Sequence, residues 1–292
     1  MATKYLILGA SGQLGRDLAT RLTGVVAARD RSQADLTNAE SIRSALEAHR
    51  PDMVVNCAAY NFVDRAEAEP EAAFAVNALG VRTLARECAV RGIILVHISS
   101  DYVFGLDAAR REPWLETDIP GPISVYGASK FAGEQFIQAL CPRHFIIRTC
   151  GLYGVWGAGG KGGNFVETMC RLGREGKPVR VVTDEVGTPT YTVDLAEAAQ
   201  RLIATGKFGL YHITNGGSCS RFEFAREIFR QAGLDVELRP ITSAEYGAAA
   251  RRPAYATLAM QKYEGLGLPP LRAWRAALAA YLDERKIGGS MK

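Results

Sequence analysis

The sequence feature that most constrains the fold is a set of glycines placed directly after a short apolar run near the N-terminus. Tyr5–Gly9, YLILG, predicts a buried strand, and the overlapping GASGQLG opens a helix predicted from about Gly12 to Leu22. The three glycines (Gly9, Gly12, Gly15) allow a tight turn, close approach of the backbone to a pyrophosphate and close packing of helix on sheet. Free N–H groups at a helix start attract phosphates. The turn therefore predicts a dinucleotide-binding site.

The rest of the first half alternates β-branched runs with segments of helical periodicity. This alternation predicts βαβ units with right-handed crossovers and therefore an α/β fold, a doubly wound parallel sheet of the Rossmann type. We assign this domain to residues 1–150. The further predicted strands are Val25–Ala28, Met53–Ala58, Ile93–Ser99 and His144–Thr149, and the further helices are Asn38–His49, Pro70–Arg91 and Val125–Leu140.

The pattern changes after Gly151, and residues 151–292 predict a smaller C-terminal α/β substrate lobe, partly interleaved with the first domain. The glycine-rich stretch 154–165 lacks G-x-x-x-x-G-K-[ST], which favours a mobile loop beside the substrate over a P-loop. A frayed tail is expected at the end. The predicted elements are helices at Phe165–Glu175, up to Ala204, at Arg221–Ala232 and Leu271–Glu284, and strands at Val179–Val182, Leu210–Thr214 and Val236–Arg239.

Composition excludes several classes of function. The 292 residues carry a net charge of +4 without basic blocks, which argues against nucleic acid and anionic membranes as partners. No apolar run approaches the ~20 residues of a membrane span, so we expect a cytoplasmic protein. The six cysteines form no C-x-x-C pair and the four histidines no H-E-x-x-H pattern, which predicts reduced thiols and packed histidines and no metal site.

The segment after the second strand is where the adenosine end of a dinucleotide would bind. Asp30 stands about 20 residues beyond the glycines, the spacing of an acid that binds a ribose 2′-hydroxyl. Arg29 and Arg31 flank it and are suited to a 2′-phosphate. The cofactor is therefore NADPH or NADH, with NADPH favoured.

A second chemical signal is SVYGASKFAGEQ, which places Tyr126 and Lys130 one helical turn apart. An ammonium group close to a phenol stabilises the phenolate and is expected to lower the pKa of the tyrosine. Ser99 and Ser100 follow the fourth strand, at the end of the sheet where such sites form. A tyrosine that donates a proton and a serine that holds the carbonyl oxygen are the groups a ketone reduction needs.

Together these motifs resemble the dTDP-4-dehydrorhamnose reductases, a family of the extended short-chain dehydrogenase/reductase superfamily. The resemblance implies NAD(P)H-dependent reduction of the 4-keto group of a nucleotide-linked 6-deoxy sugar, giving dTDP-L-rhamnose in nucleotide-sugar biosynthesis. The motifs that carry it are GASGQLG, DLTN, VNCAAYNFVD, SSDYVF, VYGASKFAGE, RTCGLYG, GNFVETM, GTPTYTVDLA and RRPAYATL.

The resemblance also implies roles for single residues. Tyr126 is the proton donor, Lys130 its partner, and Ser100 stands at the family's Thr/Ser position. Asp101 and Tyr102 are expected to contact the substrate, and Arg252 is suited to the diphosphate because a guanidinium matches phosphate oxygens. The cofactor-binding positions, besides Gly9, Gly15, Asp30, Tyr126 and Lys130, are Gly12, Gln13, Leu14, Asp35, Leu36, Ala58, Ala59, Tyr60 and Asn77.

Two departures from the family lie on the substrate side. Gly151 stands where the family often has a tryptophan over the sugar nucleotide, a gap that Trp156 or the glycine-rich loop is a candidate to fill. Asn61 and Phe62 replace smaller residues. The exact sugar, the nucleobase, an interfacial divalent metal and the choice between monomer and homodimer stay open.

Three alternatives remain. A sugar-nucleotide dehydratase shares the Tyr/Lys pair but carries a second acid after its aspartate, whereas Asp101 is followed by Tyr102. A 4-epimerase fits the motifs less well. A non-catalytic NADP-binding subunit, similar to the β-subunit of methionine adenosyltransferase, is the third, and the intact Ser100, Tyr126 and Lys130 argue against it.

Overall fold

The computed structural model describes residues 2–157 and 163–289, with side chains described as far as residue 286. The centre of the glycine-rich loop and the C-terminal tail, for which the sequence predicts mobility and fraying, lie outside the described residues. In chain order, the first half contains β1 (Lys4–Leu8), α1 (Gln13–Arg21), β2 (Val25–Arg29), α2 (Ala39–His49), β3 (Met53–Asn56), α3 (Val63–Ala68), α4 (Pro70–Phe74), α5 (Val81–Val90), β4 (Ile94–Ser100), α6 (Val125–Leu140) and β5 (His144–Thr149).

The second half begins with a short strand beside the glycine-rich loop and ends with a long helix. Its elements are β6 (Leu152–Tyr153), α7 (Phe165–Arg174), β7 (Val179–Val182), β8 (Val186–Gly187), β9 (Thr190–Tyr191), α8 (Thr192–Ala204), β10 (Gly209–His212), β11 (Cys219–Ser220), α9 (Arg221–Ala232), β12 (Leu238–Ile241), α10 (Ser243–Tyr246), α11 (Gln261–Glu264) and α12 (Trp274–Gly289).

Six parallel strands form the central sheet, in the order β10-β5-β4-β3-β1-β2. The chain moves outward from β1 to β2 and then crosses to β3 on the other side of β1. The carboxyl ends of β1 and β3 therefore flank a topological switch point, where ligands bind in open α/β sheets. The predicted doubly wound Rossmann sheet is confirmed.

Helices cover both faces of this sheet. One face packs apolar strand residues such as Ile7 and Val55 against α1 and α8, and the other packs Leu6 and Val54 against α2, α5 and α6. Burial on both faces explains why the inner strands are apolar throughout instead of alternating. Both α8 and β10 come from beyond residue 150, so the second half of the chain contributes to the first sheet.

A second cluster of buried residues is built by α7, α9 and α12 around Tyr153, Tyr191 and Phe224. The parallel pair β7–β12 lies beside it, and β8 pairs with β11 in antiparallel fashion. This part of the chain lies over the carboxyl end of the main sheet and closes one side of the cleft described below. The division at residue 150 stays a prediction.

Several predicted boundaries were wrong. The single helix expected over Pro70–Arg91 is interrupted by a π-helical turn, Ala75–Gly80, which carries Asn77. The strand expected to reach Ala58 ends at Asn56, whose Oδ1 accepts the Ala58 N–H (3.1 Å) in a local turn. A π-turn widens a helix to reposition one side chain, a change that hydrophobic periodicity does not report.

Two boundaries in the second half also differ. The strand predicted at Val236–Arg239 lies at Leu238–Ile241, because its register is set by pairing with Val179–Val182. The last helix begins at Trp274 instead of Leu271, since Ala273 first forms a bridge with Gly216. Pairing with residues distant in sequence decided both positions.

Candidate active site

The three glycines after β1 have different surroundings. Gly9 has a φ of +73°, and a Cβ there would lie 2.6 Å from the Ala58 nitrogen. A Cβ on Gly15 would lie 2.6 Å from the Gly9 oxygen, but one on Gly12 would meet only that oxygen, at 3.4 Å. Gly9 and Gly15 therefore serve close packing, while Gly12 leaves room on the open side of the turn. Such a turn at the start of α1 suits a pyrophosphate.

Orphaned polar atoms mark the same region as a site for a ligand. Gln13, the first residue of α1, donates through Nε2 to the Leu152 oxygen (3.1 Å), but its buried Oε1 has no partner. The buried Thr149 Oγ1 at the end of β5 also lacks one. Both residues line the cleft, and Leu14 beside Gln13 is buried in the core. Buried polar atoms are normally paired, so these two fit a group that arrives with its own donors.

The acids near the adenosine end hold local turns. Asp30 Oδ1 accepts from the nitrogen (2.9 Å) and the hydroxyl (2.6 Å) of Ser32, and the hydroxyl contact holds the pKa of Asp30 below its usual value. Asp35 pairs with Arg31 (3.3 Å) and accepts from the Thr37 nitrogen, while Leu36 is buried. Arg29 donates to the His49 ring (3.0 Å). The acids are thus already engaged, and each keeps one side toward solvent.

The segment after β3 is held by the π-turn. Asn77 accepts the Tyr60 N–H through Oδ1 and donates through Nδ2 to the Tyr60 oxygen, both at 2.9 Å. Its Nδ2 also donates to Ser129 Oγ (3.0 Å). Asn77 therefore fixes the backbone that follows Ala58 and Ala59, beside the glycine turn. The predicted cofactor positions of β1, β3 and the π-turn lie together at the switch point.

Ser100 and Asp101 occupy the carboxyl end of β4. Ser100 caps a short 3-10 turn (Asp101–Val103): its Oγ accepts the Tyr102 N–H (3.2 Å) and donates to Asp101 Oδ1 (3.0 Å). The Tyr102 ring meets the Tyr126 ring edge to face, with centroids 5.4 Å apart. The turn thus brings the hydroxyl, the carboxyl and two phenols to one wall of the cleft.

Tyr126 and Lys130 lie on the first turns of α6, where Ser124 caps the helix by accepting the Gly127 N–H (3.1 Å). Lys130 is 2% exposed, and its Nζ donates to the Ile98 oxygen (2.7 Å). Burial lowers the pKa of Lys130 to about 8. Burial also raises the pKa of Tyr126, an effect that a hydrogen bond with Ser100 opposes. The sequence predicts a lowered pKa for this tyrosine, but in the structure its pKa is raised, because burial is the largest influence on the phenol.

The substrate side of the cleft contains two arginines, only one of which the sequence singled out. The cleft has a volume of about 530 Å³. Arg252 forms a bidentate pair with Asp64 (2.7 and 3.1 Å). Arg221, missed by sequence reasoning, donates to Glu185 Oε2 (2.5 Å) and to the Tyr102 hydroxyl (3.4 Å).

A local signal for Arg221 does exist in the sequence. The residues SRFE form a capping box, in which Ser220 accepts the Glu223 N–H (3.1 Å) and Glu223 accepts the Ser220 N–H (2.8 Å). Arg221 is therefore the first residue of α9, and its side chain lines the cleft. Nothing in the sequence pairs it with Glu185.

Asp101 is the most strongly perturbed acid of the cleft. Its side chain is 5% exposed, and burial raises its pKa from 3.8 to about 6, although contacts with Cys150 and Ser100 oppose the shift. The Cys150 Sγ accepts the Thr188 N–H (3.4 Å), and burial raises the pKa of this thiol. The carboxyl of Asp101 is thus buried in the cleft beside the Ser100 hydroxyl and the Cys150 thiol.

The backbone conformation at Gly151 disfavours a large side chain at this position. Its φ is +54°, in the left-handed region, and a Cβ would lie 3.3 Å from the Thr188 oxygen. Trp156 does not fill this gap, as the sequence had suggested it could: its Nε1 donates to Asp17 Oδ1 in α1 (3.0 Å). Arg16 stacks on the same indole. Phe165 and Phe224 line the cleft instead.

The other candidate metal ligands and the cysteines are scattered through the described part of the chain. Within the described residues, no cluster of three or more His, Cys, Asp or Glu side chains is arranged to hold a metal ion. All six cysteines are free thiols, and five are buried. Across residues 2–157 and 163–289, no helix has the length and apolar character of a membrane span.

Comparison with known proteins finds relatives over nearly the whole chain. The profile of the RmlD substrate binding domain matches residues 3–287. The dTDP-4-dehydrorhamnose reductase of Mycolicibacterium smegmatis is 42% identical over 283 residues, which cover 95% of this chain and 84% of that protein. The dTDP-4-keto-6-deoxy-D-glucose reductase of Streptomyces niveus is 40% identical over 283 residues, 95% of this chain and 96% of that protein.

Solved structures agree as well. The dTDP-4-dehydrorhamnose reductase of Bacillus anthracis, crystallised in complex with NADP, has a TM-score of 0.92 and 40% identity, covering 97% of this chain and 100% of that one. Sequence and fold thus agree with these proteins over nearly the whole chain. The chain belongs to the family of dTDP-4-dehydrorhamnose reductases.

Proposed function

We propose that the protein reduces the 4-keto group of a nucleotide-linked 6-deoxy sugar, dTDP-4-dehydrorhamnose, to give dTDP-L-rhamnose, with NADPH or NADH as the reductant. The observation that carries this proposal is the meeting of Ser100, Asp101 and Tyr126 in one cleft, with Lys130 buried beneath it. The names of the relatives from Mycolicibacterium and Streptomyces support a dTDP-linked keto sugar as the substrate class. The NADP complex of the Bacillus anthracis structure supports NADPH.

The residues around the switch point fit a dinucleotide. The open side of Gly12 and the free Oε1 of Gln13 suit the pyrophosphate region. Lys130 and the backbone after Asn56 are suited to the ribose and nicotinamide end. When bound, the cofactor supplies hydride to the carbonyl carbon. The acids Asp30 and Asp35 hold the turns around the adenosine end, and Arg31 is exposed for a 2′-phosphate.

Tyr126 supplies the proton. Burial keeps its phenol protonated at neutral pH, so the hydroxyl carries a proton when the substrate binds. The carbonyl oxygen becomes far more basic as it turns into an alkoxide, and the phenol then donates to it. Ser100 Oγ donates a second hydrogen bond to that oxygen in place of its bond to Asp101. Preorganised donors of this kind stabilise developing charge.

The second lobe holds the sugar nucleotide. Arg221 and Arg252 both line the cleft and keep their guanidinium groups in place through Glu185 and Asp64. Planar donors held in this way suit the oxygens of a diphosphate. Asp101, among donors in the same cleft, is suited to a sugar hydroxyl.

The local chemistry argues against elimination of water. Tyr102 stands where a dehydratase would need its second acid, and burial raises the pKa of its phenol to about 12. A purely regulatory role is disfavoured because the chemical groups are intact and face an open cleft. The predicted cytoplasmic location and the choice between monomer and homodimer stay predictions.

The proposal is tested by incubating the protein with dTDP-4-dehydrorhamnose and NADPH and following absorbance at the cofactor band. We expect stoichiometric oxidation of NADPH and a product with the proton NMR spectrum of dTDP-L-rhamnose. Tight binding of NADPH without oxidation, for this and for other dTDP-4-keto-6-deoxy sugars, would overturn the enzymatic function. A product of the other configuration at C4 would retain the reduction and correct the sugar.

A further inference from the structure

A buried histidine that the mechanism above does not use lies directly beneath the catalytic face. His97, in β4, is 0% exposed. Its Nε2 is 3.3 Å from Lys130 Nζ, and its Nδ1 is 3.0 Å from Asn56 Nδ2. The imidazole therefore connects the end of β3 to the catalytic lysine through two nitrogen–nitrogen contacts. Because each contact needs one donor and one acceptor, the position of the ring proton decides what Lys130 meets.

Asn56 determines that position. Its Oδ1 accepts the Ala58 N–H (3.1 Å), which fixes the orientation of the amide, since the opposite orientation would set two donors against each other. The Nδ2 group then has only hydrogens to offer His97. The Nδ1 of His97 must therefore be the bare acceptor. A neutral imidazole carries its single proton on the other nitrogen, so Nε2–H faces Lys130.

A proton on Nε2 has a consequence for Lys130. The ammonium form of lysine has three N–H groups and no acceptor, so it would present a donor to a donor across the 3.3 Å contact. The neutral amine has a lone pair that accepts from Nε2–H, and it still donates to the Ile98 oxygen (2.7 Å). The contact with His97 therefore favours the neutral form of Lys130.

The other buried histidine shows the opposite arrangement. His212, in β10, is also 0% exposed, but its Nδ1 lies 3.1 Å from the Trp114 oxygen and 3.2 Å from the Ala259 oxygen. Carbonyls only accept, so Nδ1 carries the proton there. Its Nε2 is left to accept from Arg148 Nη1 (3.5 Å). The Arg148 guanidinium thus meets an acceptor on His212, whereas Lys130 meets a donor on His97.

Other groups around Lys130 act on its charge in known directions. Glu134, one turn further along α6, favours the ammonium, but it is already paired with Arg148 (2.6 Å). Cys57 also faces Lys130, and burial raises the pKa of this thiol to about 12, so it is uncharged at neutral pH. Tyr126, one turn before, is an uncharged phenol. Among the described residues, the His97 imidazole and the Ile98 carbonyl are the polar groups within hydrogen-bond distance of Nζ.

We propose that His97 is a positioning residue that acts through Lys130: its Nε2–H donates to the lysine amine and favours the neutral form of that lysine. The proposal rests on the proposed function, in which Lys130 is a catalytic residue. Its consequence is that Asn56, through the tautomer of His97, adds to the effect of burial and shifts the pH at which Lys130 gains or loses its proton.

The first test uses the unmodified protein labelled with ¹⁵N-histidine. A long-range ¹H–¹⁵N correlation spectrum at neutral pH distinguishes the two neutral tautomers, and His97→Gln and His212→Gln assign the two buried rings. We expect the proton of His97 on Nε2 and that of His212 on Nδ1. A proton of His97 on Nδ1, or a doubly protonated ring, overturns the proposal. This measurement needs no variant of Asn56 to fold.

The second test reverses the tautomer with Asn56→Asp. A carboxylate still accepts the Ala58 N–H but must also accept from His97, which moves the ring proton to Nδ1 and leaves Nε2 bare. The titration of Lys130 is followed by NMR with ¹³Cε-lysine labelling and assigned with Lys130→Arg. We expect its midpoint to rise by about one pH unit or more. Asn38→Asp, which adds the same charge at the exposed cap of α2, is the control and should leave the midpoint unchanged.

The carboxylate introduced by Asn56→Asp would also raise the pKa of Lys130 through its charge alone. The Lys130 titration is therefore repeated, with and without Asn56→Asp, in a His97→Phe background. We expect a smaller rise there than with the imidazole present. The proposal is overturned if the Lys130 midpoint rises equally in both backgrounds. It is also overturned if the His97 ring proton moves to Nδ1 and the Lys130 midpoint does not change. These readouts need no substrate: a protein that shows them but fails to oxidise NADPH with any keto sugar refutes the proposed function and leaves the contact with Lys130 established.

Discussion

The two sides of the cleft are assembled in different ways. The proposed cofactor side is made of short continuous segments, the turn at residues 9–15 and the end of β3, which present backbone groups and small residues. The proposed substrate side joins positions that are distant in the sequence: Arg221 contacts Tyr102 across 119 residues, and Arg252 contacts Asp64 across 188. Local motifs therefore define the first side, and long charged side chains brought together by folding define the second.

This difference predicts different consequences of substitution. Changes on the cofactor side should alter binding of NADPH, and changes on the substrate side should alter KM. Tyr126 lies where the two sides meet, so its loss should alter neither affinity strongly. The following predictions test the division from the largest expected effect to the smallest.

Tyr126→Phe removes the proposed proton donor and keeps the ring that packs on Tyr102. We expect kcat to fall about 1,000-fold, within the range for general acid catalysis, while the Kd for NADPH changes less than about 3-fold. Steady-state kinetics and calorimetry measure the two quantities. Tyr246→Phe, at an exposed tyrosine, is the control. Turnover close to that of the wild type would show that another group donates the proton.

Asp101 should make stability depend on pH. Its pKa is raised from 3.8 to about 6 by burial, so the folded state binds more protons than the unfolded state between these values. The free energy of unfolding should then fall as the pH rises from about 4 to about 6, by about 3 kcal/mol. Urea unfolding of the wild type and of Asp101→Asn across this range measures it.

The asparagine variant cannot ionise, so its stability should lack this component of the fall. If the two proteins changed in parallel with pH, the carboxyl of Asp101 would have an ordinary pKa in the folded state. The substrate side of the cleft would then be more solvated than its geometry indicates.

Arg221→Gln should weaken binding of the substrate and leave binding of the cofactor unchanged. The variant loses the proposed charge-assisted contact with the diphosphate, so we expect KM to rise about 10-fold with kcat within about 2-fold of wild type. Glu185, 6% exposed, also loses its partner, so the Tm should fall as well. Arg226→Gln, at an exposed position of the same helix, is the matched control. A raised Kd for NADPH with unchanged KM would reverse the assignment of the two sides.

Gly151→Ala should have the smallest effect. A left-handed φ of +54° costs an alanine about 1 kcal/mol, and its Cβ would approach the Thr188 oxygen to 3.3 Å. We expect a small loss of stability together with a several-fold rise in KM. Gly176→Ala shares the strain, with a φ of +67° and no atom within 4 Å of its Cβ. It should lose similar stability without a change in KM. Equal KM values for the two variants would show that Gly151 does not lie beside the substrate.

The predictions from sequence succeeded where one local pattern specifies one structure. The helix Val125–Leu140 and the strands His144–Thr149 and Val179–Val182 were predicted with the boundaries observed. The π-turn around Asn77 and the register of β12 were not, because tertiary contacts decide them. Arg221 was missed as a site residue although its helix was predicted correctly, since its partner Glu185 lies in another segment.

The sequence by itself determined the parallel sheet, the glycine turn and the Tyr126/Lys130 pair, because strand periodicity, glycine spacing and helical spacing are properties of neighbouring residues. Only the tertiary structure decided the charge environment of that pair. His97 and Lys130 are 33 residues apart in the chain, and their contact exists because β4 packs beneath α6. Burial then raises the pKa of Tyr126 and lowers that of Lys130, since desolvation depends on everything packed around a group.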